Sequence, residues 1–145
     1  MSQTIATVIT GRKLYTIASA ASAREAAQYL EGKEVGAVAV VDDGNLKGIL
    51  SERDLVQRII AAGADPSRVT VGEIMTANPI TMQSSQTLSD ALDEFRTRKF
   101  RHLPVMSGDT LVGMLSVRDL YAAIQSELED DLHEREALIF GLPQL

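Results

Sequence analysis

An α+β fold made of two copies of one β-α-β-β-α unit is the expectation for this 145-residue chain, and three observations carry it. The stretch Gly48-Ile49-Leu50-Ser51-Glu52-Arg53-Asp54-Leu55 returns as Gly113-Met114-Leu115-Ser116-Val117-Arg118-Asp119-Leu120, at a constant offset of 113 − 48 = 65. At that offset residues 9–59 lie over residues 74–124 without a gap. Each copy also alternates short apolar runs with helix-start signals in the same order. Two copies of a unit this long fit paired subdomains better than a solenoid array.

Each unit opens on a short apolar strand, at residues 14–17 and again at 80–82. Capping patterns follow: Ser22-x-x-Glu25, and Thr87-x-x-Asp90 as its shorter acidic form. Behind them, Ala23, Ala26, Ala27 and Leu30 form one helical stripe, and Leu88, Ala91, Leu92 and Phe95 form the other. The next strands are expected at 37–41 and 102–106, with turns at Asp42-Asp43-Gly44-Asn45 and Ser107-Gly108-Asp109-Thr110. Returning strands at 46–50 and 111–115 deliver the repeated motif into second helices, marked by Leu55, Val56, Ile59, Ile60 and by Leu120, Tyr121, Ile124.

Around 60 residues is marginal for an independent core, so the two copies are expected to pack as one module. The expected division is repeat 1 at 5–62, a linker at 63–70, repeat 2 at 71–125 and an acidic amphipathic tail at 126–145. Gly63 and Asp65-Pro66 break the chain between copies, and Thr70-x-x-Glu73 caps a short helical lead-in to the second. In the tail, Leu128, Leu132 and Ile139 keep a helical line until Gly141 and Pro143 stop it.

Composition narrows the function. Hydrophobic residues make up 45% and charged residues 23%, as in soluble globular proteins. The net charge is −6, but residues 127–136 hold six acids and one arginine, so −6 − (−5) = −1 is left for the rest. That balance argues against nucleic-acid binding, which needs a basic surface. Cysteine is absent and the two histidines are far apart, so no metal site is expected. The first 13 residues lack the pattern of a signal peptide, and no apolar run reaches the roughly 18 residues of a membrane span. A cytoplasmic location is the expectation. No nucleophile–base pair, Walker motif or Gly-x-Gly-x-x-Gly fingerprint is present, so an enzyme, or a catalytic cofactor, is not expected.

The repeated motif has two readings. Ser51 with Asp54, and Ser116 with Asp119, have the spacing of helix caps. Capping alone gives no reason for Arg53 and Arg118 in the first turn, where the helix dipole disfavours a cation. A phosphate at that helix start would use both the arginine and the hydroxyl. The cluster Arg96, Arg98, Lys99, Arg101, His102 divides similarly: Arg96 and Lys99 suit a helix C-terminus, whereas Arg101 and His102 stand at the start of a strand. The acidic tail is either a solvated face or one whose apolar line needs cover.

These residues resemble the tandem cystathionine β-synthase (CBS) domain, in particular the small stand-alone CBS-pair proteins of bacteria. The resemblance covers about residues 5–125 and rests on the duplicated Gly-h-h-Ser-x-Arg-Asp (h, apolar), on Arg101-His102-Leu103-Pro104-Val105, and on Glu73-Ile74-Met75-Thr76. It implies two copies facing each other around a pseudo-two-fold axis, two clefts for adenine nucleotides (AMP, ADP, ATP, or NAD), and a homodimer that regulates a separate protein. It also implies crossed clefts. One would join Ser51, Arg53 and Asp54 to Thr81, Arg101, His102 and Pro104. The other would join Ser116, Arg118 and Asp119 to Thr16, Val35, Gly36 and Ala37, a strand without cations or proline. The alternative is a structural dimerisation module whose clefts are vestigial.

Overall fold

The computed structural model describes residues 3–141. The first copy comprises α1 (Ile5–Ile9), β1 (Thr16–Ile17), α2 (Ala23–Lys33), β2 (Ala37–Asp42), β3 (Asn45–Ser51) and α3 (Glu52–Leu55), which runs on as a π-helical turn over Val56–Ile60. The second comprises α4 (Val71–Ile74), β4 (Thr76–Ala77), β5 (Met82–Gln83), α5 (Leu88–Thr97), β6 (His102–Ser107), β7 (Thr110–Ser116) and α6 (Val117–Phe140). Both capping patterns form: Ser22 Oγ accepts from Glu25 N–H (3.1 Å), and Thr87 Oγ1 accepts from Asp90 N–H (3.1 Å). Only Thr87 gains the reciprocal arm, its N–H donating to Asp90 Oδ2 (3.1 Å).

Each copy contributes a small mixed sheet. One has strand order β1-β2-β3-β4 and the other β5-β6-β7. The hairpins match residue for residue: Ala37 faces Ser51 as His102 faces Ser116, and each has a bulge at the same place, Val40/Val41 and Val105/Met106. Asp43 and Gly44 both take positive φ (50° and 78°), the primed turn that suits the twist of a hairpin. The opening strands are shorter than the apolar runs suggest, at Thr16–Ile17 and Met82–Gln83, because only those residues pair with the parallel neighbour.

The lead-in segments cross over. Three matched pairs of backbone bonds tie each to the opposite copy: Ile5 N–H to Gln86 O (2.9 Å) and Val71 N–H to Ala21 O (2.8 Å); Ala6 N–H to Ser84 O and Gly72 N–H to Ser19 O (both 2.9 Å); Leu88 N–H to Gln3 O (3.1 Å) and Ala23 N–H to Val69 O (2.8 Å). Ile5 and Val8 consequently sit in one core with Met82, Leu88, Leu103, Val105, Leu115 and Leu120. Val71 and Ile74 sit in the other with Ala23, Ala26, Leu30, Val38, Val40, Leu50 and Ile59. Neither core is completed by its own copy, which makes the pair one module with approximate two-fold symmetry.

This exchange explains the first residue of the repeated motif. A Cβ on Gly48 would stand 2.7 Å from Thr76 O and 2.6 Å from Met75 Sδ; one on Gly113 would stand 2.8 Å from Ile9 Cδ1. The lead-in of the other copy lies flat against each glycine, closer than any side chain allows.

The second helices diverge. After α3 the chain widens into the π turn, where Ala61 N–H donates to Val56 O (2.8 Å), and Arg58 Nη1 donates to Ile74 O (2.9 Å) and Met75 O (3.1 Å). Those are the freed carbonyls at the end of α4, so Arg58 pins the crossed lead-in. By contrast α6 is one helix of 24 residues, ending at Gly141 as expected; Pro143 lies outside the described residues. Leu128 and Leu132, each 58% exposed, and Ile139 lack cover among the described residues. No helix among the described residues is long and apolar enough to cross a membrane.

Candidate functional site

Both repeated motifs stand where a strand runs into a helix. Ser51 ends β3 as the N-cap of α3, and Ser116 ends β7 as the N-cap of α6. Matching bonds fix the first helical residues: Glu52 N–H donates to Gly36 O, and Val117 N–H to Arg101 O (both 2.9 Å). The two junctions therefore share a backbone frame, and the side chains distinguish them.

At the first junction the capping box is closed. Asp54 N–H donates to Ser51 Oγ (3.3 Å), while Ser51 N–H (2.9 Å) and Ser51 Oγ–H (3.1 Å) donate to Asp54 Oδ2. Asp54 is 7% exposed, the only buried charged residue among those described. At the second junction only one arm forms, Asp119 N–H to Ser116 Oγ (3.0 Å). The Asp119 carboxylate turns out instead to Arg12, with Nη1 2.6 Å from Oδ1.

Arg53, Arg101 and Arg118 are exposed and make no ion pair among the described residues. His102 is half-buried at the seam between the copies, where a Cβ on Gly36 would lie 3.4 Å from its Cε1. The starts of β2 and β6 thus meet across the pseudo-axis. Burial lowers the pKa of His102 below its usual 6.5, opposed by the Asp119 and Glu52 carboxylates and assisted by Arg101. Burial thus favours the uncharged ring.

The remaining expected residues line the strands. Thr16 pairs with Ala39 in β1 and is exposed; Thr81 is exposed just ahead of β5; Val35 and Gly36 are half-buried. Ala37 and Pro104 are buried, with Pro104 placed one residue before the pairing of β6 with β5 begins. Surface hollows of about 390 Å³ along α6 (Asp131, Glu134, Arg135, Leu138) and about 340 Å³ beside α1 (Ile9, Arg12, Ser84, Val112) do not include Ser51 or Ser116. No group of three or more His, Cys, Asp or Glu that could hold a metal occurs among the described residues.

Two participants escape a reading by motif. Glu52 occupies the first helical position where the second copy has Val117, and its carboxyl lies 3.9 Å from the Cβ that Gly36 lacks. Arg12 belongs to the turn after α1, and nothing in its own neighbourhood of sequence points to Asp119. The backbone bonds match Ile5 to Val71, an offset of 71 − 5 = 66 rather than 65, so the first lead-in is one residue longer than the gapless alignment of residues 9–59 with 74–124 gives.

A duplicated strand-to-helix junction, with crossed lead-ins and polar groups collected at both helix starts, defines a tandem module of two paired copies. The CBS domain family matches this chain twice, at residues 6–61 and 71–126, and the chain belongs to that family. It is 34% identical over 118 residues to the meiotically up-regulated gene 70 protein of Schizosaccharomyces pombe, covering 81% of this chain and 16% of that one. The chain thus spans well under two thirds of that larger protein. In structure it is similar to a putative signal-transduction protein with CBS domains from Burkholderia ambifaria (TM-score 0.80, 29% identity, 84% of this chain and 93% of that one). It is also similar to a CBS domain protein from Pyrobaculum aerophilum complexed with AMP (TM-score 0.73, 26% identity, 80% and 88% covered). A fourth likeness is to CBSX2 in complex with AMP (TM-score 0.71, 29% identity, 86% and 98% covered).

Proposed function

We propose that this chain is a non-catalytic adenine-nucleotide sensor, acting in the cytoplasm as a homodimer on a separate partner protein. The observation that carries the reading is the pair of exposed first-turn arginines, Arg53 and Arg118, each set beside a helix-capping serine. A cation there is unfavourable without an anion, and a phosphate at the N-terminus of the helix supplies one. AMP in two structures of similar fold supports the ligand class. The aspartates Asp54 and Asp119 suit ribose hydroxyls, which donate to carboxylates. ADP, ATP and NAD share the same ribose and phosphate groups.

Signalling requires that ligand bind one arrangement of the copies better than another. The seam at Gly36 and His102 and the crossed lead-ins are the surfaces whose packing such a ligand would bias. Calorimetry on nucleotide-stripped protein tests the reading: saturable heat is expected with AMP, ATP or NAD, and no heat with any of them overturns it.

A second reading, a dimerisation module with vestigial clefts, draws on two observations. Asp54 is already engaged by Ser51, and Leu128 and Leu132 lie uncovered on α6. On that reading sedimentation finds a dimer while calorimetry finds no ligand.

A further inference from the structure

Arg12 is the strongest feature that the motif does not absorb. It reaches Asp119 of the second copy from the first copy's lead-in, through the turn after α1 in which its own N–H donates to Ile9 O (3.1 Å). That turn contains the residue by which the first lead-in exceeds the second. In the second lead-in the chain instead pairs as β4 against β3, with Ala77 opposite Gly48, and brings no cation to the first junction. Asp54 and Asp119 are therefore held by different means: one by its own capping serine, the other by a guanidinium from elsewhere in the chain.

The difference has a chemical consequence. Arg12 is 49% and Asp119 27% exposed at the side chain, so the pair can open without disturbing the core. A ligand that donates ribose hydroxyls to Asp119 must compete with the guanidinium for the same carboxylate. Once displaced, the guanidinium needs an anion nearby, and a phosphate offers its oxygens in the two-pronged geometry that arginine matches. A nucleoside without phosphate would leave it stranded.

We infer that Arg12 is a specificity-determining residue of the cleft containing Asp119, holding that carboxylate until a ligand supplies both ribose hydroxyls for Asp119 and a phosphate for Arg12. The inference rests on the nucleotide reading above and deepens it: this cleft selects nucleotides against nucleosides, and its cation comes from the lead-in rather than from a strand.

The test is calorimetry of the full chain with AMP and with adenosine, on the unsubstituted protein, Arg12→Ala, Arg12→Lys, Asp119→Asn and the double variant Arg12→Ala/Asp119→Asn. Arg12→Ala should weaken AMP about tenfold and tighten adenosine about threefold or more, from the loss of one charge-assisted phosphate contact and one competing ion pair. Arg12→Lys should recover part of the AMP affinity, and the gain for adenosine should vanish when Asp119 is already Asn. Equal changes for both ligands, no change for either, or the same adenosine gain in the Asp119→Asn background would each overturn the role of Arg12 while leaving nucleotide binding intact. If the unsubstituted chain binds neither AMP nor adenosine, this inference is overturned, and the nucleotide reading fails with it only when ATP and NAD give no heat either.

Discussion

The two strand-to-helix junctions carry the same Ser-x-Arg-Asp residues on the same backbone frame, yet their carboxylates do different things. Asp54 is folded into a closed capping box and buried; Asp119 caps through its N–H alone and gives its carboxylate to Arg12. The first helix turns into a π-helical stretch that Arg58 anchors to the end of α4, while the second continues as α6. A duplicated motif thus fixes the start of a helix, and its setting decides which partner the carboxylate takes.

Changing the motif glycines should give the largest effect and an unequal one. Gly48→Ala drives a methyl against Thr76 O, a backbone atom at 2.7 Å, and we expect a loss of roughly 3 kcal/mol. Gly113→Ala meets the end of the Ile9 side chain, which can rotate, so roughly 1 kcal/mol is expected. Urea titrations of both variants check the order; equal losses would mean that the two lead-ins press on their sheets alike.

The aspartates should separate next. Asp54→Ala removes the acceptor for Ser51 N–H and Oγ–H at a buried site, an expected loss of roughly 2 kcal/mol. Asp119→Ala removes a partly exposed ion pair, worth about 0–1 kcal/mol. Thermal melts distinguish these, and a larger loss from Asp119→Ala would mean that the ion pair with Arg12 holds the fold more than the buried capping box does.

Shortening α6 tests whether the second helix differs from the first by design of an interface. Cutting the chain after Glu129 removes Leu132 and Ile139 along with much of the acidic run. We expect the mass in sedimentation to fall by half, with a lower melting temperature. An unchanged mass would make the extension a solvated face.

The smallest effect concerns the seam. His102 has its pKa lowered from 6.5, chiefly by burial, so the unfolded chain binds a proton at higher pH than the folded one. Its contribution to stability is complete above pH 6.5 and declines as pH falls from there toward the lower folded value. Stability measured from pH 7.5 down to 5 should show this decline in the native chain and lose that component in His102→Gln. An identical slope in both would place the titrating group elsewhere.

Sequence periodicity and spacing were enough for the repeat, both hairpins and the N-terminal caps of α2, α3, α5 and α6, because these depend on residues a few positions apart. At α4 the expected cap does not form, and the Thr70 hydroxyl donates to the Glu73 carboxylate (3.1 Å) instead of accepting from the backbone. Ser22 capping Glu25 and Asp43-Gly44 turning a hairpin are local chemistry, readable from their order along the chain. The same holds for the serines at the two junctions. Which copy each lead-in completes was decided by tertiary packing: Ile5 and Val8 are apolar in either setting, and only the fold assigns them to the core of Leu88 and Leu115. The partner of Asp119 likewise depended on the fold, since Arg12 stands 107 positions away by 119 − 12. Spacing determines contacts within one element, whereas contacts between elements follow from which apolar faces bury each other, and that is settled in three dimensions.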